Sequence, residues 1–186
     1  MNPLLRTAFL LAFVASAEAA ENRSIVRIKD GDAAYRQALG RHFGHLPRDR
    51  KQGDIVLDVG GESTRPGAES ESVDAEIARV VPVIEAIAAR FDVPISIDTS
   101  KPEVMCAAVA AGAGLVNDVN ALRAEGALDA VAELKVSVCL MHMQGEPRTM
   151  QEAPHYDDVV GEVKRFLADR VLACRMAGID PKRVVI

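Results

Sequence analysis

The sequence predicts an α/β protein whose strands form a parallel β-sheet. Short apolar runs alternate with segments in which apolar residues recur every three or four positions, the patterns of buried strands and amphipathic helices. Strands that alternate with helices along a chain form parallel sheets with right-handed crossovers. Four of the apolar runs end in small polar clusters, and the ends of parallel strands are where such proteins bind ligands. The periodicity does not decide whether the sheet closes into a barrel.

Five strands and four helices are predicted after residue 53. Ser72 is a candidate N-cap of the first helix, and Ser100 is predicted to begin the second with a capping box. The apolar stripe of the first helix predicts that it packs on the sheet. The predicted strands are 54–59, 95–97, 115–119, 137–141 and 184–186, and the predicted helices are 72–91, 100–111, 126–134 and 157–178.

The chain divides into three segments. Residues 1–20 join one positive charge to an apolar stretch and small residues, which is typical of a signal peptide; an apolar N-terminal helix or a misassigned gene start explains the same pattern. Residues 21–52 are polar, carry no motif and contain one candidate helix near 33–42. Residues 53–186 hold the repeating strands and helices. The whole length of 186 residues is short for an eight-fold barrel, which typically needs about 250.

Composition limits the classes of function. No run of about 18 apolar residues occurs, so no transmembrane helix is predicted. The net charge of -5 argues against nucleic-acid binding, because phosphate neutralisation needs clustered Lys and Arg. Three scattered cysteines, Cys106, Cys139 and Cys174, predict buried thiols in a reducing compartment rather than a zinc site or a disulfide framework.

The richest polar cluster, Gly-Gly-Glu-Ser-Thr-Arg-Pro-Gly at 60–67, follows the first strand. Its two leading glycines are interpreted as residues that let the backbone turn tightly. Thr64 offers a hydroxyl group, and Arg65 offers a guanidinium fork suited to phosphate or carboxylate. A flexible loop with a surface arginine is the alternative interpretation. No glycine-rich dinucleotide motif or P-loop lysine occurs in the sequence.

The next three strands also end in candidate binding residues. Asp98 can accept paired hydrogen bonds from an N–C–N edge of a heterocycle, or it can cap the next helix. Asn117 offers donors and an acceptor to a ring, although asparagine is also common in turns. Met141 is predicted to form an apolar wall, and His142 has no spaced partner that would make a metal site. We expect Thr64, Asp98, Asn117 and Met141 to converge on one rim.

At these residues the chain resembles the dihydropteroate synthases, a family of folate-pathway enzymes. The matching stretches are D-V-G-G-E-S-T-R-P-G at 58–67, I-D-T-S-K-P at 97–102, N-D at 117–118 and C-L-M-H-M-Q-G-E-P-R-T-M-Q at 139–151. They are collinear with the family and span about 53–186. The resemblance implies a (β/α)8 TIM barrel, of which this chain contains about half.

The resemblance also implies an activity and a binding site. The family condenses 6-hydroxymethyl-7,8-dihydropterin diphosphate with p-aminobenzoate and is the target of sulfonamides. By its pattern, Asp98 and Asn117 bind the pterin ring, Met141 lines the pocket, and Thr64 and Arg65 lie near the diphosphate and p-aminobenzoate. Positioning and electrostatics carry most of such a reaction, so no catalytic side chain is assigned.

The chain departs from the family pattern at both ends. The motif Asn-Val-Thr-Pro-Asp-Ser-Phe-Ser, whose asparagine is associated with Mg²⁺, is absent from 1–53, and the later lysine and arginine diphosphate-binding motifs do not appear. The resemblance thus implies Mg²⁺ as a cofactor without assigning a metal ligand in this chain. It also predicts a truncated enzyme whose activity alone is in question.

Two other functions stay open. The pair of Asp98 and Asn117 also fits the pterin-binding domain of a methyltetrahydrofolate:corrinoid methyltransferase, and a non-catalytic remnant would carry the same motifs. We expect a cytoplasmic location, where both substrates are made, or export if residues 1–20 act as a signal peptide. The expected partners are the small-molecule substrates, with neither nucleic acid nor a transmembrane segment, and a homodimer is a candidate assembly.

Overall fold

The structure is a computed structural model, which describes residues 25–30, 55–62, 70–146 and 149–186. Two expectations from the sequence, the signal-like segment 1–20 and the helix near 33–42, lie outside these residues.

The described strands form one six-stranded sheet whose order in space follows the order in the chain. All five predicted strands are present, each end within one residue of the prediction, and they pair in parallel as predicted. The strands are β1 Ile25–Asp30, β2 Ile55–Gly60, β3 Ile95–Asp98, β4 Leu115–Asp118, β5 Ser137–Leu140 and β6 Val184–Val185.

The edge strand β1 was not predicted. It pairs antiparallel with β2, with Ile25 opposite Gly60 and Asp30 opposite Ile55. The polar composition of residues 21–52 hid its short alternation of apolar and charged residues. An antiparallel edge strand is common on an otherwise parallel sheet. The parallel pairing predicted for the strands after residue 53 is confirmed, and β1 adds an antiparallel edge strand that was not predicted.

Four α-helices connect the parallel strands. As predicted, the hydroxyl group of Ser72 caps the first helix by accepting a hydrogen bond from the backbone N–H of Ala75 at 3.2 Å. The second helix has Lys101 at its N-cap position and no side-chain cap, so the predicted capping box at Ser100 is wrong. The helices are α1 Val73–Ala88, α2 Pro102–Ala110, α3 Ala127–Leu134 and α4 Val159–Met176, and a short 3-10 helix, Pro181–Arg183, precedes β6. No described helix is long and apolar enough to cross a membrane.

The helices cover one face of the sheet with an apolar core. Side chains alternate between the two faces of a strand, so every second residue of the parallel strands β2 to β6 points toward the helices. Most of these residues are buried in the core with apolar residues of α1, α2 and α3, and Leu57 and Val184 are partly buried against it. The strand residues in this core include Val59, Ile97, Val116 and Val138.

The opposite face of the sheet is polar near the strand ends. The same alternation and the strand register place on it Asp58 and Ser96, which are paired in register, and Asp98 and Asn117, which are also paired. Cys139 of β5 is the next partner of Asn117 along this row. These polar side chains lie toward the carboxyl ends of the parallel strands, where α/β proteins bind ligands.

Candidate functional site

Asp98 and Asn117 are neighbours at the carboxyl ends of β3 and β4. They are register partners, so both side chains lie on the polar face. Asp98 is half-buried, and Asn117 is 2% exposed. A carboxylate beside a carboxamide offers acceptors and donors in a fixed arrangement, which suits a flat ring with alternating N–H and C=O groups. The structure thus brings together the two residues predicted to bind the ring.

A third polar residue, Asp58 in β2, lies on the same polar face and contacts Asn117. It is 1% exposed and accepts a short hydrogen bond from the hydroxyl group of Ser96. The Nδ2 atom of Asn117 lies 3.3 Å from both carboxylate oxygens of Asp58. Asp58 was not among the residues predicted from the sequence to bind a ligand. The available signal was a carboxylate inside an apolar strand, since buried carboxylates are rare unless they are paired.

The loop after β4 is organised by Asp118. Its carboxylate accepts hydrogen bonds from the backbone N–H groups of Asn120 at 2.8 Å and Leu122 at 2.7 Å, and from the hydroxyl group of Ser100. Burial raises the pKa of Asp118, although these hydrogen bonds oppose the rise. Ser100 therefore links the loops after β3 and β4, which explains why it does not cap α2.

Ionic contacts fix the beginning of the loop after β2. The Nζ atom of Lys101 contacts the carboxylate of Glu62 and lies 2.5 Å from Oε2 of Glu76, which is fully buried in α1. Burial lowers the pKa of Lys101, but hydrogen bonds to Glu62 and Glu76 and their charges outweigh it, so the net pKa is raised.

Gly60 ends β2 and Gly61 follows it, and neither has the role predicted from the sequence. Neither Gly60 nor Gly61 has a positive φ, so neither is needed for a tight turn. A Cβ atom on Gly61 would lie 2.8 Å from Cγ of Glu76 and 2.9 Å from Cγ1 of Val80. Gly61 is therefore required because α1 packs too closely for any side chain.

Met141 directly follows β5, which ends one residue earlier than predicted. Its side chain is half-buried, and its backbone N–H donates a hydrogen bond to the carbonyl oxygen of Asp118 at 3.3 Å. The adjacent His142 packs against aromatic rings, with its ring centroid 4.9 Å from that of Phe166 and 5.8 Å from that of Tyr156. His142 is therefore a packing residue in the loop after β5.

Two predicted binding residues, Thr64 and Arg65, lie outside the described residues. The cysteines differ from the expectation of three buried thiols. Cys174 is buried, which raises its pKa, but Cys139 is half-buried and Cys106 is exposed, so that prediction is wrong for two of the three. Within the part of the chain that the structure describes, no group of three or more His, Cys, Asp or Glu side chains could hold a metal ion.

Comparison with known proteins decides the family. The sequence profile described as pterin binding enzyme matches residues 37–186. The chain belongs to the pterin-binding enzyme family. The dihydropteroate synthase of Escherichia coli K12 is 54% identical over 134 residues, which are 72% of this chain and 48% of the relative. That of Neisseria meningitidis serogroup B is 46% identical over 154 residues, which are 82% and 54% of the two chains. The resemblance inferred from the motifs is thus confirmed.

Solved structures of pterin-binding enzymes share the fold. Dihydropteroate synthase of Xanthomonas albilineans with 4-aminobenzoic acid has a TM-score of 0.65 and 61% identity over 69% of this chain and 45% of that one. The Burkholderia cenocepacia enzyme complexed with 7,8-dihydropteroate has a TM-score of 0.63 and 53% identity over 69% and 46%. The chain spans about half the length of the curated relatives it matches. Its parallel repeats from β2 to β6 form part of a TIM barrel, as predicted.

Proposed function

We propose that this chain provides the pterin-binding part of a dihydropteroate synthase, which condenses 6-hydroxymethyl-7,8-dihydropterin diphosphate with p-aminobenzoate. The observation that carries this proposal is the pairing of Asp98 with Asn117 on the polar face. Support also comes from relatives named as this enzyme, including structures with 4-aminobenzoic acid and with 7,8-dihydropteroate. These relatives favour the synthase over the methyltransferase alternative.

The pair of Asp98 and Asn117 matches the hydrogen-bonding edge of a pterin. The aminopyrimidine part of the ring presents N–H groups on either side of one carbon, and a carboxylate accepts two such hydrogen bonds in one plane. The Asn117 amide adds a second point of recognition, and Met141 supplies an apolar surface for the flat ring. Thr64 and Arg65 are proposed to contact the diphosphate and p-aminobenzoate.

The proposed reaction needs little proton transfer by the protein. The amine nitrogen of p-aminobenzoate attacks the methylene carbon of the pterin, and the C–O bond to diphosphate breaks as the new C–N bond forms. Diphosphate leaves with the bonding electron pair, and the amine loses a proton. Holding the two reactants in line is then the main contribution of the site. No described side chain is assigned a proton-transfer role.

The family's magnesium ion finds no dedicated site among the described residues, because no cluster of metal-ligating side chains occurs there. Mg²⁺ in proteins is commonly held by one or two carboxylates together with substrate phosphates and water. We therefore propose that any Mg²⁺ enters with the diphosphate of the substrate, and the residues described here act on the pterin ring without it.

Calorimetric titration with 6-hydroxymethyl-7,8-dihydropterin tests the proposal. We expect binding by the wild-type chain and roughly 10- to 100-fold weaker binding by Asp98→Asn, because the variant cannot accept two charge-assisted hydrogen bonds. Asp129→Asn is the matched control, since Asp129 is an exposed aspartate on α3. Absence of any heat with the wild-type chain, or an unchanged affinity in Asp98→Asn, contradicts the proposal.

Condensation is tested separately with labelled p-aminobenzoate and the dihydropterin diphosphate. Formation of labelled dihydropteroate supports the full activity for this chain, whereas pterin binding without product limits its role to binding. A homodimer and a cytoplasmic location are further proposals. Sedimentation velocity tests the homodimer, and mass spectrometry of the N-terminus from fractionated cells tests the location.

A further inference from the structure

The proposed ring-binding pair lies at the very end of the β3–β4 ladder. Asp98 is the last residue of β3, and its register partner Asn117 is followed in β4 only by Asp118. Strand ends have fewer neighbours than strand centres and open more readily. A ligand that binds across two strand ends therefore needs contacts that hold those ends together.

Hydrogen bonds beyond this pair join the loop after β3 to β4. The backbone N–H of Thr99 donates to the carbonyl oxygen of Asn117 at 3.2 Å, and the hydroxyl group of Ser100 donates to the carboxylate of Asp118. Thr99 is buried and Ser100 is half-buried, so water competes only weakly for these bonds. The hydroxyl group of Ser100 is thus a link between the two strand ends that one substitution can remove.

The carboxylate that accepts the Ser100 hydrogen bond is itself held in place. Asp118 is fully buried, and its carboxylate also accepts hydrogen bonds from the backbone N–H groups of Asn120 and Leu122. Its backbone carbonyl oxygen accepts a hydrogen bond from the N–H of Met141 at 3.3 Å. Asp118 is therefore a fixed anchor that joins Ser100 to the residue proposed to line the ring.

We infer that Ser100 is a positioning residue for ring recognition, because its hydrogen bond to Asp118 fixes the separation of Asp98 from Asn117. This inference rests on the proposed function. Asp98 and Asn117 must contact one flat, rigid ring at the same time, so a small change in their separation weakens both contacts. A separation that is set before the ligand arrives avoids the free-energy cost of ordering the two residues on binding.

Calorimetric titration with 6-hydroxymethyl-7,8-dihydropterin tests the inference. We expect Ser100→Ala to bind roughly 5- to 20-fold more weakly than the wild-type chain, because the variant loses a hydrogen bond to a charged group. Ser100→Thr keeps the hydroxyl group and should stay within about threefold of the wild-type affinity. Ser72→Ala is the matched control, since it also removes a serine hydroxyl group that makes a stabilising hydrogen bond, but at the N-cap of α1. It should bind as the wild-type chain does.

A double variant separates positioning from a general effect on the site. If Ser100 acts by holding Asp98 beside Asn117, its loss should matter little once Asp98→Asn has removed the paired charge-assisted hydrogen bonds. In the Asp98→Asn background we therefore expect Ser100→Ala to weaken binding by no more than about twofold, so that the two effects are not additive. Equal fold losses in both backgrounds would show that Ser100 does not act through Asp98 and would overturn the inference.

Hydrogen exchange of the wild-type chain tests the same point even if Ser100→Ala does not fold. The backbone amide of Thr99 should be protected in the ligand-free protein, because its hydrogen bond to Asn117 is held in place beside the Ser100 contact. Exchange as fast as in an unfolded peptide, with protection only after the dihydropterin is added, overturns the inference.

The outcomes separate the inference from the proposed function. Wild-type affinity in a folded Ser100→Ala overturns the role of Ser100 and leaves the proposed function standing, since the ring still binds. Failure of the wild-type chain to bind the dihydropterin overturns the proposed function, and the inference with it.

Discussion

The Nζ atom of Lys101 lies 2.5 Å from Oε2 of Glu76. This ion pair joins the N-cap of α2 to the first turn of α1. Glu76 is fully buried, and Lys101 also contacts Glu62, immediately before the segment 63–69 that contains Thr64 and Arg65. One ammonium group thus balances charge on a buried helix residue and on the loop that leads toward the proposed diphosphate region. The stability of this region should therefore depend on the charge of Lys101.

Replacing Lys101 with methionine should therefore be strongly destabilising. The variant leaves the carboxylate of Glu76 buried without its cation, and removal of one partner from a buried ion pair costs roughly 3 to 5 kcal/mol of unfolding free energy. Urea denaturation measures this loss. The double variant Lys101→Met with Glu76→Gln removes the buried charge as well and should recover most of it. A stability of Lys101→Met equal to that of the wild-type chain would contradict the prediction.

The Lys101 contacts should also produce an alkaline limit to stability. The pKa of Lys101 is raised in the folded protein above its ordinary 10.5, so the folded state holds this proton more tightly than the unfolded state. Its stabilising contribution is then complete below pH 10.5 and is lost as the pH rises through the folded pKa. The difference in unfolding free energy between wild type and Lys101→Met should be constant up to that point and decline above it. A difference that stays flat at high pH contradicts the assignment.

Gly61 should tolerate alanine much less well than Gly60. A Cβ atom at Gly61 would lie within 3 Å of both Glu76 and Val80, whereas at Gly60 the nearest atom is 3.4 Å away. Forcing a methyl group into such a contact costs about 1 to 3 kcal/mol. Thermal and urea unfolding of Gly61→Ala and Gly60→Ala measure the two effects side by side. Equal stability of the two variants would show that α1 can shift to make room.

Most of the sheet and its helices could be predicted from the sequence, because their signals are local. The parallel strands are short apolar runs, and the apolar stripe of α1 repeats with the helical period. The edge strand β1 gave a weak signal within a polar segment. The prediction of a capping box at Ser100 was wrong because the Ser100 hydroxyl group donates its hydrogen bond to Asp118, eighteen residues away in the sequence. Such a choice depends on tertiary contacts.

The candidate site could be predicted only in part. Asp98 and Asn117 were recognisable because polar residues at the ends of parallel strands share one edge of the sheet. Asp58 was not recognised, since its contact with Asn117 depends on the register of three strands. The reason for Gly61 was likewise hidden, because it depends on how closely α1 approaches β2.

Asp118→Asn should destabilise the loop after β4, and the effect should depend on pH. Asparagine has one acceptor oxygen and cannot replace all three hydrogen bonds that Asp118 accepts, a loss of about 1 to 3 kcal/mol. Burial raises the pKa of Asp118 above 3.8, so its contribution to stability is full below pH 3.8 and decreases as the pH rises through the folded pKa. Urea unfolding of both proteins across the acidic range should show the largest difference at the lowest pH. A difference that grows with pH contradicts the prediction.

Arg170 of α4 should also stabilise the loop after β4. Its Nε and Nη2 atoms donate hydrogen bonds to the carbonyl oxygens of Ala121 at 2.7 Å and Leu122 at 2.9 Å. Both of these residues have positive φ, 51° and 57°, which is unfavourable for side chains of L configuration and persists only when surrounding contacts enforce it. The guanidinium group therefore holds a strained turn in place.

Arg170→Met should lower the unfolding free energy by about 1.5 to 3 kcal/mol, because two buried carbonyl groups lose a charged donor. Hydrogen exchange of the backbone amides at 120–123 should accelerate more than exchange in α3. Arg165→Met is the control, since Arg165 is exposed on the same helix and should change neither quantity. Unchanged exchange in the loop of Arg170→Met would mean that Asp118 alone maintains the turn beside Asn117.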